Sequence, residues 1–434
     1  MTPSGTSTAL MTDHYELTML QAALAAGTAG RRSVFELFGR RLPPGRRYGV
    51  VAGVGRALDA IEAFRFGPGE LAALDGVVDA PTLEWLASYR FGGDVWGYAE
   101  GEVYLPYSPV LVVESTFAEA VLLETLLLSI YNHDSAIASA ASRMTAAAGR
   151  RPCIEMGSRR THEEAAVAAA RAAYVAGFAS SSNLAARHRY GVPTTGTSAH
   201  SFTLLHDTET QAFRAQVDSL GVGTTLLVDT YDVREAVRLA VQTAGPGLGA
   251  VRLDSGDLGV LAQQVRDQLD ELGATRTRIV VTSDLDEFAI ASLASAPVDG
   301  YGVGTQLVTG SGHPTSGFVY KLVSREGSDG EMVPVSKRST DKVSLGGRKY
   351  ALRRLDAAGV AQAEVVGIGT PPEDDGNDRV LLVPLVRDGV VVGREDLATA
   401  RERHRAARAE LPLAAQQLSR GEPVIATRHV QAHH

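Results

Sequence analysis

The sequence predicts an α/β protein, an irregular α/β barrel accompanied by a second α+β domain. Two observations lead there. Four apolar runs recur downstream of residue 223 at intervals of roughly 20 to 30 residues, the length of one strand-plus-helix unit. Each run turns from Val, Leu and Ile to Asp, Ser, Thr or Gly at its end: TTLLVD at Asp229, AVRLD at Asp254, RIVVTSD at Asp284 and DGYGVGT at Thr305. Upstream, PCIEMGSRR and GFASSSN have the same shape, and TTGTSAH, which opens at Thr194, is one of about six such units. In a closed, TIM-like parallel barrel the C-terminal strand ends open on one face, where active sites are built. A doubly wound open sheet is the alternative, and it would gather the same ends on one edge. If the stretch Thr194 to Phe202, with its tight glycine, hydroxyls and histidine, is the mouth of an α/β barrel, His200 points at the chemistry.

The chain has 434 residues, room for two domains, and its 44% hydrophobic and 21% charged content is that of a globular enzyme. A net charge of -8 argues against wholesale nucleic-acid binding, although local arginines can still hold an anion. The single cysteine, Cys153, excludes a disulfide framework and a cysteine zinc knuckle. No signal-peptide pattern and no apolar run of membrane-spanning length is present, so no membrane association and a cytoplasmic location are expected.

In chain order, residues 1 to about 10 read as a disordered leader. TDHYELTMLQAALAAG reads as a helix, with Thr12 or Asp13 as cap, Glu16 in the first turn and Gly27 as stop. SVFELFGR, VWGYAEGEVY and PVLVVES are strands around one helix, VAGVGRALDAIEAF, without the later regular alternation. Thr116 and Glu119 have capping-box spacing before a helix through Tyr131, and SAIASAASRMTAAAG continues helically to Gly149. The expected organisation is an α+β domain over residues 1–130, a catalytic barrel over 131–320, and a segment over 321–434 that returns to the first domain and ends in a charged helix from Glu395 and a loose HVQAHH.

Several strand ends carry chemistry. In PCIEMGSRRTHEEA, Arg159 and Arg160 fall in a strand-to-helix loop, with Thr161 and Glu164 expected to cap the helix that Gly177 closes. Paired guanidinium groups there suit a carboxylate or phosphate. Arg252 lies inside an apolar strand and so must pair with a neighbouring Asp or a ligand. The Ser255-Gly256-Asp257 turn can offer backbone N–H groups to phosphate and carboxylates to Mg²⁺ or ribose hydroxyls. Gly302, Gly304 and Thr305 sit where many barrels bind phosphate.

The segments TDHYELTM, EMGSRRTHEEA, GFASSSNLAARHRYGVPTTGTSAHSF, VRLDSGDL and GVGTQLVTG, in that order, resemble the nicotinate phosphoribosyltransferase family across about 300 residues. The resemblance implies a type II phosphoribosyltransferase fold in a homodimer with shared active sites. It also implies the reaction of nicotinate with phosphoribosyl pyrophosphate to nicotinate mononucleotide and pyrophosphate, coupled to ATP hydrolysis with Mg²⁺, in NAD salvage. It assigns His200 as the histidine that ATP phosphorylates, and Arg252 and Asp254 as catalytic. Tyr15 resembles a tyrosine that stacks on the pyridine ring from the partner subunit. Arg159 and Arg252 flank that ring, with Arg160 beside them; Gly196 and Thr197 match its backbone contacts; Gly302, Gly304 and Thr305 match the 5′-phosphate turn. Ser255, Gly256, Asp257 and Ser283 complete the substrate-binding set, and Met156 stands where relatives often carry Phe. The alternatives are nicotinamide phosphoribosyltransferase on the same fold and a non-catalytic binder of NAD metabolites.

Overall fold

The computed structural model describes residues 7–337 and 345–431. The chain divides into two compact units: Met1–Ser139 with His313–His434, and Ala140–Gly312.

The Ala140–Gly312 unit is built on six parallel strands in the order Ser180–Ser181, Cys153–Glu155, Gly300–Val303, Arg278–Ser283, Ala250–Leu253, Thr225–Leu227. Val251, Leu253, Ile279, Val281, Tyr301 and Val303 are fully buried, as strands covered on both faces require, which is why they read as continuous apolar runs. The helices between them begin at side-chain caps: Asn183, Thr208, Asp232, Asp257 and Asp286 each accept from a backbone N–H two or three residues on. The helix after Arg160 is Glu163–Val175, and its cap is the His162 ring rather than the expected Thr161, because the helix starts two residues beyond that threonine.

The strand order is that of a ring, and Ser181 adds a parallel bridge to Thr194. Among the described residues the ladder stops there, and no backbone pairing joins Thr194 to Thr225–Leu227. The fold is therefore a mixed α/β one around a curled parallel sheet, and the closed barrel expected from the sequence is not completed by strand pairing. The cause is local. TTGTSAH, expected to form a strand of its own, contributes only the Thr194 bridge and the Thr195 N–H to Ser181 carbonyl bond of 3.0 Å, then leaves the sheet at Gly196 for the short helix His200–Leu204.

The other unit contains a seven-stranded antiparallel sheet, ordered Met332–Pro334, Phe318–Glu326, Arg32–Gly39, Leu111–Thr116, Asp94–Tyr98, Leu382–Arg387, Val390–Val391. Its core includes Leu37, Val112 and Val113 from the strands and Ala57, Leu58 and Ile61 from the helix Val54–Ala63. A second, four-stranded sheet comprises Arg379–Val380, Lys349–Leu355, Ala361–Ile368 and Ala426–Gln431. Its last strand corrects one expectation: His429 to Gln431 of the supposed loose end pair in parallel with Val366 to Ile368. Backbone bonds make that edge while its side chains are largely exposed, so a polar sequence conceals it. Residues 432–434 lie outside the described residues.

At the N-terminus, residues 1–6 of the expected leader lie outside the described residues, whereas Thr8 is buried and its Oγ1 donates to the Ala60 carbonyl at 2.7 Å. The helix His14–Ala25 forms as expected, but Asp13 makes no side-chain cap bond; Glu16 is fully buried and accepts from the Thr125 N–H at 2.9 Å. Thr116 caps the helix Phe117–Val121 through the Glu119 N–H at 3.3 Å, and a separate 25-residue helix runs Glu124–Ala148. No helix of the described residues is long and apolar enough to cross a membrane.

Candidate active site

A cavity of about 510 Å³ opens at the C-terminal ends of the parallel strands, within the size range of small-molecule sites. Met156, Ser158, Arg159 and Arg160 follow the first strand into its wall; Ser182 follows the second; Thr195 to Ala199 cross the gap in the sheet; Arg252, Asp254, Thr282 to Asp284, Gly302, Gly304 and Thr305 complete it. Gly302 lies in register beside both Ile154 and Thr282, and a Cβ there would stand 2.4 Å from Thr282 Cγ2 and 2.8 Å from Met156 Sδ. Absence of that atom is what lets the thioether lie flat against the strand as a wall of the cavity. Ser283 ends its strand at φ 152, a conformation L residues rarely adopt, where the chain turns into the cavity wall.

Charge is concentrated on one side. The Arg252 guanidinium donates to Thr197 Oγ1, while its Nε is buried without a hydrogen-bond partner. Burial holds its pKa below the usual arginine range and nearby Arg159 adds to this, against the opposing pull of Asp254 and Asp229. A buried donor left unmet costs about 1–3 kcal/mol, so an acceptor placed there by a ligand relieves a standing cost. With exposed Arg159 and Arg160 on the neighbouring turn, three guanidinium groups face one cavity, which suits a planar anion.

His200 begins its helix immediately after the cavity residue Ala199. Its Nδ1 is 3.1 Å from Thr230 Oγ1, and its Nε2 is 3.9 Å from both Asp229 Oδ1 and Asp254 Oδ2. Asp229 Oδ2 accepts from the Asp254 N–H at 2.8 Å and from Ser255 Oγ at 2.7 Å, and Thr282 Oγ1 donates to Asp254 Oδ1. A partly exposed imidazole thus has a hydroxyl beside one nitrogen and two carboxylates near the other.

Residues 10–132 match the nicotinate phosphoribosyltransferase (NAPRTase) N-terminal domain. The nicotinate phosphoribosyltransferase pncB1 of Mycobacterium tuberculosis is 60% identical over 432 residues, covering 98% of this chain and 95% of that protein. The chain belongs to the nicotinate phosphoribosyltransferase family. The nicotinate phosphoribosyltransferase of Bacillus subtilis is 37% identical over 363 residues, covering 81% of this chain and 74% of that protein. The crystal structure of human nicotinic acid phosphoribosyltransferase superposes with a TM-score of 0.83 at 26% identity, covering 97% of each chain.

In this member of the nicotinate phosphoribosyltransferase family, Met156, Arg159, Arg160, Gly196, Thr197, Arg252, Asp254, Ser283, Gly302, Gly304 and Thr305 meet in the cavity wall. His200 is not among the lining residues, and its Nε2 lies 3.9 Å from the lining residue Asp254. Ser255 is engaged with Asp229, and Asp257 caps the helix Leu258–Glu271 through the Val260 N–H at 3.2 Å; Gly256 between them has φ +85 and serves the turn. Tyr15 lies in the other unit, on the helix His14–Ala25, 46% exposed. Two aspartates passed over as site residues belong beside those chosen: Asp284 in the wall, and Asp229 against His200. Both end an apolar run as Asp254 does, and that shared position was the signal available.

Proposed function

We propose that this chain is a nicotinate phosphoribosyltransferase, converting nicotinate and phosphoribosyl pyrophosphate to nicotinate mononucleotide and pyrophosphate, with ATP hydrolysis coupled to it, in NAD salvage. The observation that carries the reading is the convergence of Arg159, Arg160 and the half-satisfied Arg252 on one cavity, since a carboxylate-bearing ring supplies the acceptor that Arg252 lacks. In this reading Arg159 and Arg252 flank the pyridine acid and the Met156 thioether takes one face of the ring, a favourable sulfur–aromatic contact. Gly196 and Thr197 contact its edge, and Gly302, Gly304 and Thr305 receive the 5′-phosphate. Displacement at the anomeric carbon passes through a cation-like centre, so the groups that hold the ring nitrogen in line and Asp254 beside the ribose have the larger part.

His200 takes the γ-phosphoryl group of ATP: a ring nitrogen bonds to phosphorus, the bond to the β-phosphate oxygen breaks, ADP leaves, and water later releases phosphate. Asp229 and Asp254 stabilise the imidazole as its charge changes. Asp229, whose buried Oδ1 has no hydrogen-bond partner, and Asp254 are the oxygen donors that would hold Mg²⁺, which would supply positive charge to offset that of pyrophosphate. The curled sheet is read as the irregular barrel of type II phosphoribosyltransferases, the assembly as a homodimer in which Tyr15 reaches the partner's ring site, and the setting as cytoplasmic. The test is mononucleotide formation from phosphoribosyl pyrophosphate and Mg²⁺ with nicotinate or nicotinamide, with and without ATP. A preference for nicotinate of at least about tenfold, or ~1.4 kcal/mol, is expected, because an amide cannot match the charge-assisted bond. Equal rates with the amide overturn it.

A further inference from the structure

Glu155 ends its strand fully buried and does not line the cavity, yet its carboxylate ties together two loops that do. Its Oε1 accepts the Gly157 N–H and its Oε2 accepts from Ser181 Oγ. Ser181 Oγ in turn accepts from the Asn183 N–H at 2.8 Å while it donates to Glu155. From the same turn, the Ser182 N–H donates to the Glu155 carbonyl at 2.8 Å, and Asn183 Nδ2 donates to Ser158 Oγ at 3.0 Å. Gly157 packs too closely for a side chain: a Cβ there would come within 2.2 Å of Val308 Cγ1.

We propose that Glu155 is a positioning residue for the ring-binding side of the site, setting the turn 156–160, and with it Met156 and Arg159, against the Ser182 loop. This rests on the reading of Arg159 and Met156 as contacts of the pyridine acid. Burial pushes the Glu155 pKa up, and the two donors are what the side chain offers against that cost. A glutamine has one acceptor oxygen where the glutamate uses two, so its N–H₂ must face either the Gly157 N–H, donor against donor, or Ser181 Oγ, which must then turn its proton away; one of the two native bonds is lost at nearly constant volume.

The experiment compares KM for nicotinate and for phosphoribosyl pyrophosphate in wild type, Glu155→Gln and Ser181→Ala, each checked for a cooperative melt. Glu155→Gln is expected to raise the nicotinate KM at least about tenfold and leave the phosphoribosyl pyrophosphate KM within about twofold; Ser181→Ala repeats the split at smaller size. A folded Glu155→Gln with an unchanged nicotinate KM, or with both constants raised alike, overturns the proposal. Should Glu155→Gln fail to fold, the Ser181→Ala split decides by the same criterion. A wild type that does not turn over nicotinate overturns the parent reading and this one with it, whereas an active wild type beside unsplit constants overturns this one alone.

Discussion

His200 Nε2 stands 3.9 Å from Asp229 Oδ1, a buried carboxylate oxygen with no hydrogen-bond partner. The pair spans the gap where strand pairing stops, and it predicts a shared phenotype. Asp229→Asn removes the charge that steadies a cationic or phosphorylated imidazole. It should lower label transfer from γ-labelled ATP at least about tenfold, as His200→Ala abolishes it, with slow ATP-independent synthesis surviving in His200→Ala. Undiminished, acid-stable label in His200→Ala would return that residue to a structural role.

Arg159→Ala should raise the nicotinate KM by about tenfold or more, ~1.4 kcal/mol, and the phosphoribosyl pyrophosphate KM far less. Steady-state kinetics with each substrate varied in turn decides it, and equal shifts count against a ring-side role.

Two glycines of the cavity should respond in opposite ways. Gly302→Ala places a methyl 2.4 Å from Thr282 Cγ2 and 2.8 Å from Met156 Sδ, so it should cost about 1–3 kcal/mol of stability as well as activity. Gly196→Ala meets no atom within 4 Å and should leave the melting temperature nearly unchanged while intruding on the ligand. Similar melting losses at both positions would contradict the geometry.

Glu209 is buried with Oε1 unpartnered, and burial, with Glu235 and Asp232 nearby, pushes its pKa from the ordinary 4.5 up to about 7. The folded state then holds a proton that the unfolded state has released, so stability falls as pH rises from about 4.5 through about 7. Glu209→Gln should therefore raise the melting temperature at pH 8, with the gain disappearing near pH 4.5. A gain of equal size at both pH values would mean the carboxylate charge is not its source.

If Tyr15 completes a partner's site, mixing Tyr15→Ala chains with His200→Ala chains should recover activity, because one mixed dimer assembles one intact site. No recovery after verified subunit exchange would indicate self-contained sites.

Much of this was legible in the chain because buried parallel strands must be apolar and must end in polar turns. Asp254, Arg252 and Gly302 could be placed at a common mouth from that pattern alone, before any coordinate. What stayed hidden depends on backbone bonding, which leaves little trace in side-chain order. Thr194 bridges Ser181 and then departs, and nothing in TTGTSAH tells a strand from a single bridge. The edge strand Ala426–Gln431 was concealed for the same reason. Glu155 was hidden differently: a carboxylate inside an apolar run looks like a strand end, and only the donors at Gly157 and Ser181 show what it does.

The interruption of the sheet between Thr194 and Thr225–Leu227 has a consequence for how occupancy can be observed. Across it the links are side chains, His200 to Thr230 and Asp229, and Arg252 to Thr197, the groups that chemistry and ligands would engage. The amides of residues 196–199 have no sheet partner to slow their exchange with solvent, so their protection should rise and fall with the state of those side chains. Deuterium uptake at residues 196–199 would then act as a built-in gauge, reporting substrate and phosphoryl occupancy without any label on the ligand.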